Sequence, residues 1–241
     1  MKQTFLSTLK NITLDLFFPI ECLGCKHPHI FLCSACQASL LRPEHQKCPI
    51  CKRPSARGAT CLDCLGKTSL DGLFVALAYQ HPLTREMIHT LKYRFIPACA
   101  APLANILITE LHNADLPLPN LIVPVPLHSR RLRWRGFNQS TLIATRLATA
   151  LTPGLPIPLD VDSFKRVRFT PPQASVKSKT ERLNNLKDAF SWQPTDQAPT
   201  LTDKTVWLID DVATTLTTLE ACAKTLKNAG AKQVIGVVLA R

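Results

Sequence analysis

The chain has 241 residues, of which 46% are hydrophobic, and its 29 Lys and Arg outnumber 17 Asp and Glu to give a formal net charge of +12. This length accommodates one α/β domain of ordinary size with a small accessory module. The basic balance favours a polyanionic partner without identifying one.

An amphipathic helix is predicted at residues 1–18, because Phe5, Leu9, Ile12 and Leu16 share one helical face. The segment has no apolar run long enough to span a bilayer and no small-residue cleavage site. We therefore expect no transmembrane segment and a cytoplasmic location. Docking on the protein is the simpler interpretation of the apolar face, and a membrane-surface helix is the alternative.

Eight of the ten cysteines form four CxxC pairs, all within roughly the first quarter of the chain. They are Cys22 and Cys25, Cys33 and Cys36, Cys48 and Cys51, and Cys61 and Cys64. Two such pairs complete a tetrahedral thiolate site, so four pairs predict two Zn²⁺ ions, with a structural role because no coordination position stays open. A disulfide framework is the alternative, but it is typical of secreted chains.

Pairing of the cysteines in sequence order is the simplest assignment. Seven residues separate the first two pairs, eleven the middle two and nine the last two, although interleaved pairing is the alternative. Two zinc ions bound to eight thiolates change the formal charge from +12 to about +8, so the chain stays basic. The remaining cysteines, Cys99 and Cys222, are expected to be small core residues of helices.

From residue 70 onwards, apolar runs alternate with amphipathic segments. The predicted strands are 70–79, 121–125, 206–209 and 233–239, and the predicted helices are 82–95, 98–113, 140–151, 180–190 and 219–230. Such alternation predicts an α/β fold, a parallel sheet with right-handed crossovers. We expect loops at 127–139 and 167–179. Residues 1–67 are interpreted as the N-terminal helix and cysteine-rich module, and 68–241 as the sheet domain.

Two basic segments contain aromatic residues among their cations. The first contributes Arg130, Arg131, Arg133, Trp134, Arg135 and Phe137, and the second contributes Lys165, Arg166 and Arg168. Arginine forks bind phosphate oxygens and aromatic faces stack on bases, so the pattern favours binding of single-stranded nucleic acid. Two alternatives are a solvated basic surface with Trp134 in the core, and arginines that clamp a departing pyrophosphate.

An apolar run at 206–209 ends in two adjacent carboxylates and a threonine-rich turn. Ligands of open α/β sheets bind at the carboxyl ends of the strands. Backbone N–H groups at a helix start can hold a phosphate, while carboxylates accept hydrogen bonds from sugar hydroxyls. The turn therefore predicts a phosphosugar site, made of Asp210, Asp211, Ala213, Thr214, Thr215, Leu216, Thr217 and Thr218.

This motif resembles the phosphoribosyl pyrophosphate signature of type I phosphoribosyltransferases. The resemblance implies that Asp210 and Asp211 hold ribose hydroxyls as the catalytic pair, that 214–218 anchors the 5′-phosphate, and that Mg²⁺ accompanies the pyrophosphate. Those enzymes normally carry Gly where this chain has Leu216, because a phosphate approaches the backbone closely there. The departure favours binding over turnover.

Five ordered blocks resemble the ComF competence-protein family, which joins a double zinc ribbon to a type I phosphoribosyltransferase-like domain. The blocks are the CxxC pairs after Phe18-Pro19, His89–Arg94, Val123–Leu127 with Arg135–Gln139, Gln173 with Arg182–Asn185, and the Asp210-Asp211 pair.

The resemblance to this family implies a cytoplasmic role in natural transformation, at the inner face of the membrane. The implied ligands are incoming single-stranded DNA and a phosphoribosyl pyrophosphate-type molecule, and the implied partners are a DNA-uptake helicase or recombination proteins. An active phosphoribosyltransferase of unknown acceptor and a zinc-ribbon docking adaptor are the alternatives.

Overall fold

The computed structural model describes residues 20–169, 186, 188–195 and 199–241. The helix predicted at 1–18, most of the helix predicted at 180–190, and Gln173 with Arg182–Asn185 lie outside the described residues. Within the part of the chain that is described, no helix is long and apolar enough to cross a membrane.

Six strands and six α-helices make up the regular structure of the described residues. The strands are β1 (Gly72–Leu77), β2 (Leu121–Pro124), β3 (Phe164–Arg166), β4 (Phe190–Trp192), β5 (Thr205–Val212) and β6 (Gln233–Ala240). The helices are α1 (Ser34–Ala38), α2 (Pro82–Tyr93), α3 (Ala100–Asn113), α4 (Ser129–Arg135), α5 (Gln139–Ala150) and α6 (Thr217–Asn228).

Four strands form a parallel sheet in the order β1-β6-β5-β2. Their apolar runs are buried on both faces, the pattern of a parallel sheet covered by helices. Helices α2, α3 and α5 cover one face, and α6 covers the other together with the antiparallel pair β3-β4. The predicted α/β fold is confirmed, and the carboxyl ends of β5 and β2 lie side by side.

The cysteine-rich module, residues 20–67, packs against the edge strand β1. The Gln46 side chain donates to the Val75 carbonyl at 2.8 Å and accepts from the Val75 amide at 3.0 Å, as a neighbouring strand would. The Ala78 amide also donates to the Leu41 carbonyl, at 2.8 Å. An unpaired sheet edge invites association with other chains, so the module satisfies and covers this edge.

The loop predicted at 127–139 is wrong at residues 129–135, where the structure has α4. His128 caps the helix, because its Nδ1 accepts from the Arg130 amide at 3.2 Å. Burial and the surrounding arginines lower the pKa of His128, which keeps this nitrogen available as an acceptor. The helix ends at Gly136, whose φ of 82° is the left-handed conformation of a helix stop.

The remaining differences concern short elements. The basic segment 164–168 begins in β3 rather than in a loop, and β3 is held by antiparallel pairing with β4. Pro124 lies within β2, as in the predicted strand 121–125, and Pro97 begins a 3₁₀ turn that precedes α3.

Candidate functional site

The four CxxC pairs assemble into two clusters in sequence order. Within each cluster the four sulfur atoms lie within 4.8 Å of one another, which confirms sequential pairing and excludes the interleaved alternative. The Sγ atoms of Cys25 and Cys33 are 3.6 Å apart, as are those of Cys51 and Cys61. Tetrahedral zinc with Zn–S bonds near 2.3 Å needs sulfurs about 3.8 Å apart. The donor set and spacing therefore fit two structural Zn²⁺ ions.

Local hydrogen bonds prepare these sulfurs for metal binding. Burial raises the pKa of Cys22, but backbone N–H groups of Cys25, Cys33 and Gly24 outweigh it and lower the pKa to about 6. The Arg53 guanidinium, with Nε 3.4 Å from the Cys51 sulfur, lowers the pKa of Cys51 to about 6. Since the thiolate is the metal ligand, one sulfur of each cluster is already in the binding form at neutral pH.

Asp211 is the buried member of the acidic pair near the end of β5. Only 2% of the residue is exposed, and its Oδ1 forms an ion pair with Nζ of Lys92 at 2.9 Å. Lys92 lies in the last turn of α2, and the two carboxylates outweigh the effect of burial to raise its pKa. Oδ2 of Asp211 is buried without a hydrogen-bond partner among the described residues. It is thus an acceptor left for a ligand hydroxyl.

Asp210 is held from the neighbouring helix α5. Its Oδ1 accepts from Oγ of Ser140 at 2.9 Å and from the Asp211 amide at 2.9 Å. Burial and the adjacent Asp211 carboxylate raise the pKa of Asp210 to about 7. A carboxyl group that is half protonated at neutral pH can either donate to or accept from a sugar hydroxyl.

A cleft of about 540 Å³ opens above the acidic pair. Its cationic lining comes from three elements and consists of Lys92, Arg130, Arg131, Arg135 and Arg166, while its aromatic lining consists of Tyr93, Trp134 and Phe169. Burial and the nearby cation Arg135 lower the pKa of Arg131, and burial and Arg131 lower that of Arg166. Cations that repel one another in this way favour an anionic ligand.

Aromatic rings position several of the lining arginines. The guanidinium of Arg130 lies 5.0 Å from the Phe169 ring centre, and that of Arg135 lies 5.9 Å from Tyr93. Arg135 also donates to Oε1 of Gln139 at 2.5 Å. These contacts restrict the positions of two guanidinium groups that line the cleft.

Four residues of the two predicted basic segments, Arg133, Phe137, Lys165 and Arg168, lie outside the cleft lining. Arg133, Lys165 and Arg168 are exposed and each is next in sequence to a lining residue, so we call these three the outer rim. Trp134 is 63% exposed and meets Phe95 edge-to-face at 4.9 Å, so it is not a core residue. By contrast, Phe137 is half-buried and packs against the core, where it supports α4.

The threonine-rich turn leads from β5 into α6 through a left-handed residue. Leu216 has φ 62° and ψ −2°, the conformation that glycine adopts without strain. Its side chain packs against the core beneath α6. Hydroxyl oxygens of Thr215 and Thr217 lie 2.8 Å apart at the start of the helix. Leu216 thus keeps the backbone shape of a glycine turn and directs much of its bulk inward.

Sequence reasoning missed two residues that complete this site. In the sequence, Lys92 stands out only as part of the His89–Arg94 block, and Ser140 only as the first residue of the predicted helix 140–151. The available signals were a lysine at the end of an amphipathic helix and a serine two residues after the Asn138 cap. Their contact with β5 depends on tertiary packing.

Two protein-family models match separate segments of the chain. Residues 13–65 match the double zinc ribbon domain, and residues 138–241 match the phosphoribosyl transferase domain.

Curated relatives extend over most of the chain. DNA utilization protein YhgH of Salmonella typhi is 33% identical over 91% of this chain and 96% of its own length. Competence protein F of Haemophilus influenzae is 31% identical over 90% of this chain and 95% of its own length. A solved structure, the purine phosphoribosyltransferase of Pyrococcus horikoshii Ot3, covers 58% of this chain and 82% of its own at 21% identity and a TM-score of 0.32, too low to support a structural argument.

Proposed function

Since this chain belongs to the family of DNA utilization and competence proteins that join a double zinc ribbon to a phosphoribosyltransferase domain, we propose that it handles incoming single-stranded DNA during natural transformation and binds a phosphoribosyl pyrophosphate-type ligand. Thiolate zinc sites persist in reducing compartments, which supports a cytoplasmic location. The observation that carries the proposal is one cleft with an acidic pair at its base and arginines along its walls.

The chemistry of the cleft matches each part of a phosphoribosyl pyrophosphate. Asp210 and the unpartnered Oδ2 of Asp211 accept hydrogen bonds from ribose hydroxyls. Amide groups at the start of α6 bind the 5′-phosphate, since a helix N-terminus attracts anions. The arginines of α4 face the pyrophosphate.

Two carboxylates at the base of the cleft also supply oxygen donors of the kind that Mg²⁺ prefers. Asp211 is already neutralised by Lys92, so Asp210 is the carboxylate that would hold the ion. Mg²⁺ bound there would neutralise charge on the pyrophosphate.

Single-stranded DNA is assigned to the outer rim of the same cleft. Arg133, Lys165 and Arg168 supply its exposed cations, and Trp134 supplies an exposed aromatic ring. Cations that follow a backbone and rings that stack on bases are the two components of sequence-independent single-strand binding. The rim therefore engages the polymer while the cleft receives the small ligand.

Salt dependence tests the DNA half of this proposal. Alanine at Arg133, Lys165 and Arg168 together should weaken binding of an oligodeoxynucleotide and flatten the slope of log affinity against log salt by about 2, because each phosphate contact contributes roughly 0.7 to that slope for single strands. Fluorescence anisotropy at several salt concentrations measures both. Unchanged affinity and slope would refute the assignment.

Calorimetry tests the phosphosugar half. Phosphoribosyl pyrophosphate with Mg²⁺ should bind the native protein, and Asp211→Asn should weaken binding by roughly tenfold or more, since a charge-assisted hydrogen bond contributes about 1.5–3 kcal/mol. Asp162→Asn, at an exposed aspartate away from the cleft, is the matched control.

An active phosphoribosyltransferase is the second candidate function. Asp210, with a pKa raised to about 7 by burial and Asp211, has the proton affinity expected of a general acid or base. Release of pyrophosphate in the presence of purine and pyrimidine bases or amines would support turnover. Binding without release would leave the cleft a ligand-binding site.

A further inference from the structure

The threonine-rich turn Thr214–Thr217 faces the second zinc ribbon. Two clefts, of about 440 and 510 Å³, are lined by residues of both the turn and this ribbon. Thr214, Lys52 and Arg241 line both of them. The turn predicted to anchor a phosphate is therefore bordered by one cation of the zinc ribbon and by another that follows the last strand.

Lys52 lies at the tip of a zinc knuckle. It follows the Cys48–Cys51 pair directly, its amide donates to the Cys48 carbonyl at 3.0 Å, and its φ is 62°. This tight turn fixes the backbone of Lys52 relative to the metal cluster. Its ammonium group is exposed and forms no ion pair with any described residue.

Lys26 is the counterpart of Lys52 in the first ribbon. It follows the Cys22–Cys25 pair, its amide donates to the Cys22 carbonyl at 2.9 Å, and its φ is 65°. The two lysines therefore share local geometry and distance from a metal cluster. Lys26 lines none of the three clefts described here, so the chain contains its own matched control.

Arg241 connects the knuckle to the sheet. This half-buried residue follows β6, and its Nη2 donates to the Pro49 carbonyl at 3.4 Å. Lys67 adds a third cation to the 440 Å³ cleft. The carboxylate that lines this cleft belongs to Glu220, and it accepts hydrogen bonds from the Thr68 hydroxyl and, at 2.8 Å, from the Ser69 amide. Lys52, Lys67 and Arg241 outnumber this one carboxylate, so the net charge beside the turn is positive.

We propose that the second zinc ribbon forms one wall of the phosphate site, and that Lys52 with Arg241 binds the terminal phosphate monoester of a sugar phosphate held on the turn Thr214–Thr217. This inference rests on the proposed phosphosugar function and extends it to a residue outside the sheet. The zinc cluster of Cys48, Cys51, Cys61 and Cys64 then positions a ligand-binding side chain without touching the ligand.

Titration calorimetry with phosphoribosyl pyrophosphate and Mg²⁺ tests the assignment on the full-length, zinc-loaded protein. Lys52→Gln should weaken binding about tenfold, the scale of one charge-assisted contact. Lys26→Gln should stay within twofold of the native protein, and Lys52→Arg should retain most of the affinity because it keeps the charge. Zinc content measured on each variant confirms that both clusters stay intact.

Competition identifies which end of the ligand Lys52 contacts. Ribose 5-phosphate should lose potency as a competitor in Lys52→Gln, whereas pyrophosphate should not. Equal losses for both would overturn the assignment to the monoester. Native-like binding by Lys52→Gln would overturn the inference and leave the proposed function standing, whereas absence of binding to the native protein would refute the proposed function itself.

Discussion

The two adjacent carboxyl groups of β5 have different surroundings. Asp211 has the Lys92 ammonium 2.9 Å away, whereas Asp210 has a neutral hydroxyl and an amide as donors. Burial and its neighbour raise the pKa of Asp210 to about 7 from 3.8. A carboxyl group whose pKa is raised in this way is typical of functional sites.

The raised pKa of Asp210 makes folding stability depend on pH. Between pH 3.8 and about 7 the folded state retains a proton that the unfolded state has released, so stability falls as pH rises through this window. Asp210→Asn should remove this dependence and raise the free energy of unfolding at pH 8 by about 1–3 kcal/mol. Urea unfolding at pH 5 and pH 8 measures how the free energy of unfolding changes with pH, with Asp162→Asn as the exposed control. If Asp210→Asn kept the native dependence of unfolding free energy on pH, the assignment would be contradicted.

Lys92 compensates a carboxylate that is almost fully buried. Lys92→Met should lower the free energy of unfolding by about 2–4 kcal/mol, because breaking a buried pair leaves an uncompensated charge. Adding Asp211→Asn should recover part of this loss. A double-mutant cycle, measured by urea unfolding, gives the interaction free energy between the two residues. Additive losses would show that the pair does not interact.

Leu216 adopts a backbone conformation suited to glycine. Leu216→Gly should strengthen binding of phosphoribosyl pyrophosphate severalfold, because it removes the Cβ at the phosphate turn and the strain of a φ of 62°. Asp203→Gly, at a φ of 59° outside the site, controls for the general effect of a glycine at positive φ. Equal effects of the two substitutions on affinity would show that the Leu216 side chain does not obstruct the ligand.

At the scale of elements, the long periodic segments were predictable and the short ones were not. Sheet strands and helices α2, α3, α5 and α6 follow from apolar runs and helical periodicity. Helix α4 depends on a histidine cap and a glycine stop, and β3 exists because β4 pairs with it. The acidic pair was predictable because it ends an apolar run, whereas Lys92 and Ser140 reach it only through packing of α2 and α5.

The arginines of helix α4 lie in two places, some in the cleft lining and one on the outer rim. Arg131 lines the cleft, whereas Arg133 is exposed outside it. Arg131→Ala should therefore weaken phosphoribosyl pyrophosphate binding about tenfold, while Arg133→Ala should weaken oligodeoxynucleotide binding and leave the small ligand unaffected. Calorimetry measures the affinity of the two variants for phosphoribosyl pyrophosphate, and anisotropy measures their affinity for the oligodeoxynucleotide. Identical effects of the two substitutions would contradict the division.

On the scale of the whole molecule, the cysteine-rich module is part of the architecture of the sheet. Gln46 takes the place of a neighbouring strand along β1, with two hydrogen bonds to Val75. Gln46→Ala should lower the free energy of unfolding by about 1–3 kcal/mol, because both backbone groups of Val75 lose their partner. Hydrogen exchange at the Val75 amide should accelerate in this variant, and unchanged protection would show that the module does not hold the edge.

Helix α4 supplies arginines to both the cleft and the rim, so it should couple the two proposed ligands. Both ligands are anionic and are assigned to adjacent parts of one cleft, so each should repel the other. The most direct measurement is an anisotropy titration of the purified protein with single-stranded DNA, with and without saturating phosphoribosyl pyrophosphate and Mg²⁺. We predict that both ligands bind, that the small ligand weakens DNA binding severalfold, and that DNA weakens binding of the small ligand by the same factor. Absence of binding for either ligand, or two affinities that do not influence each other, would contradict adjacent sites on one cleft.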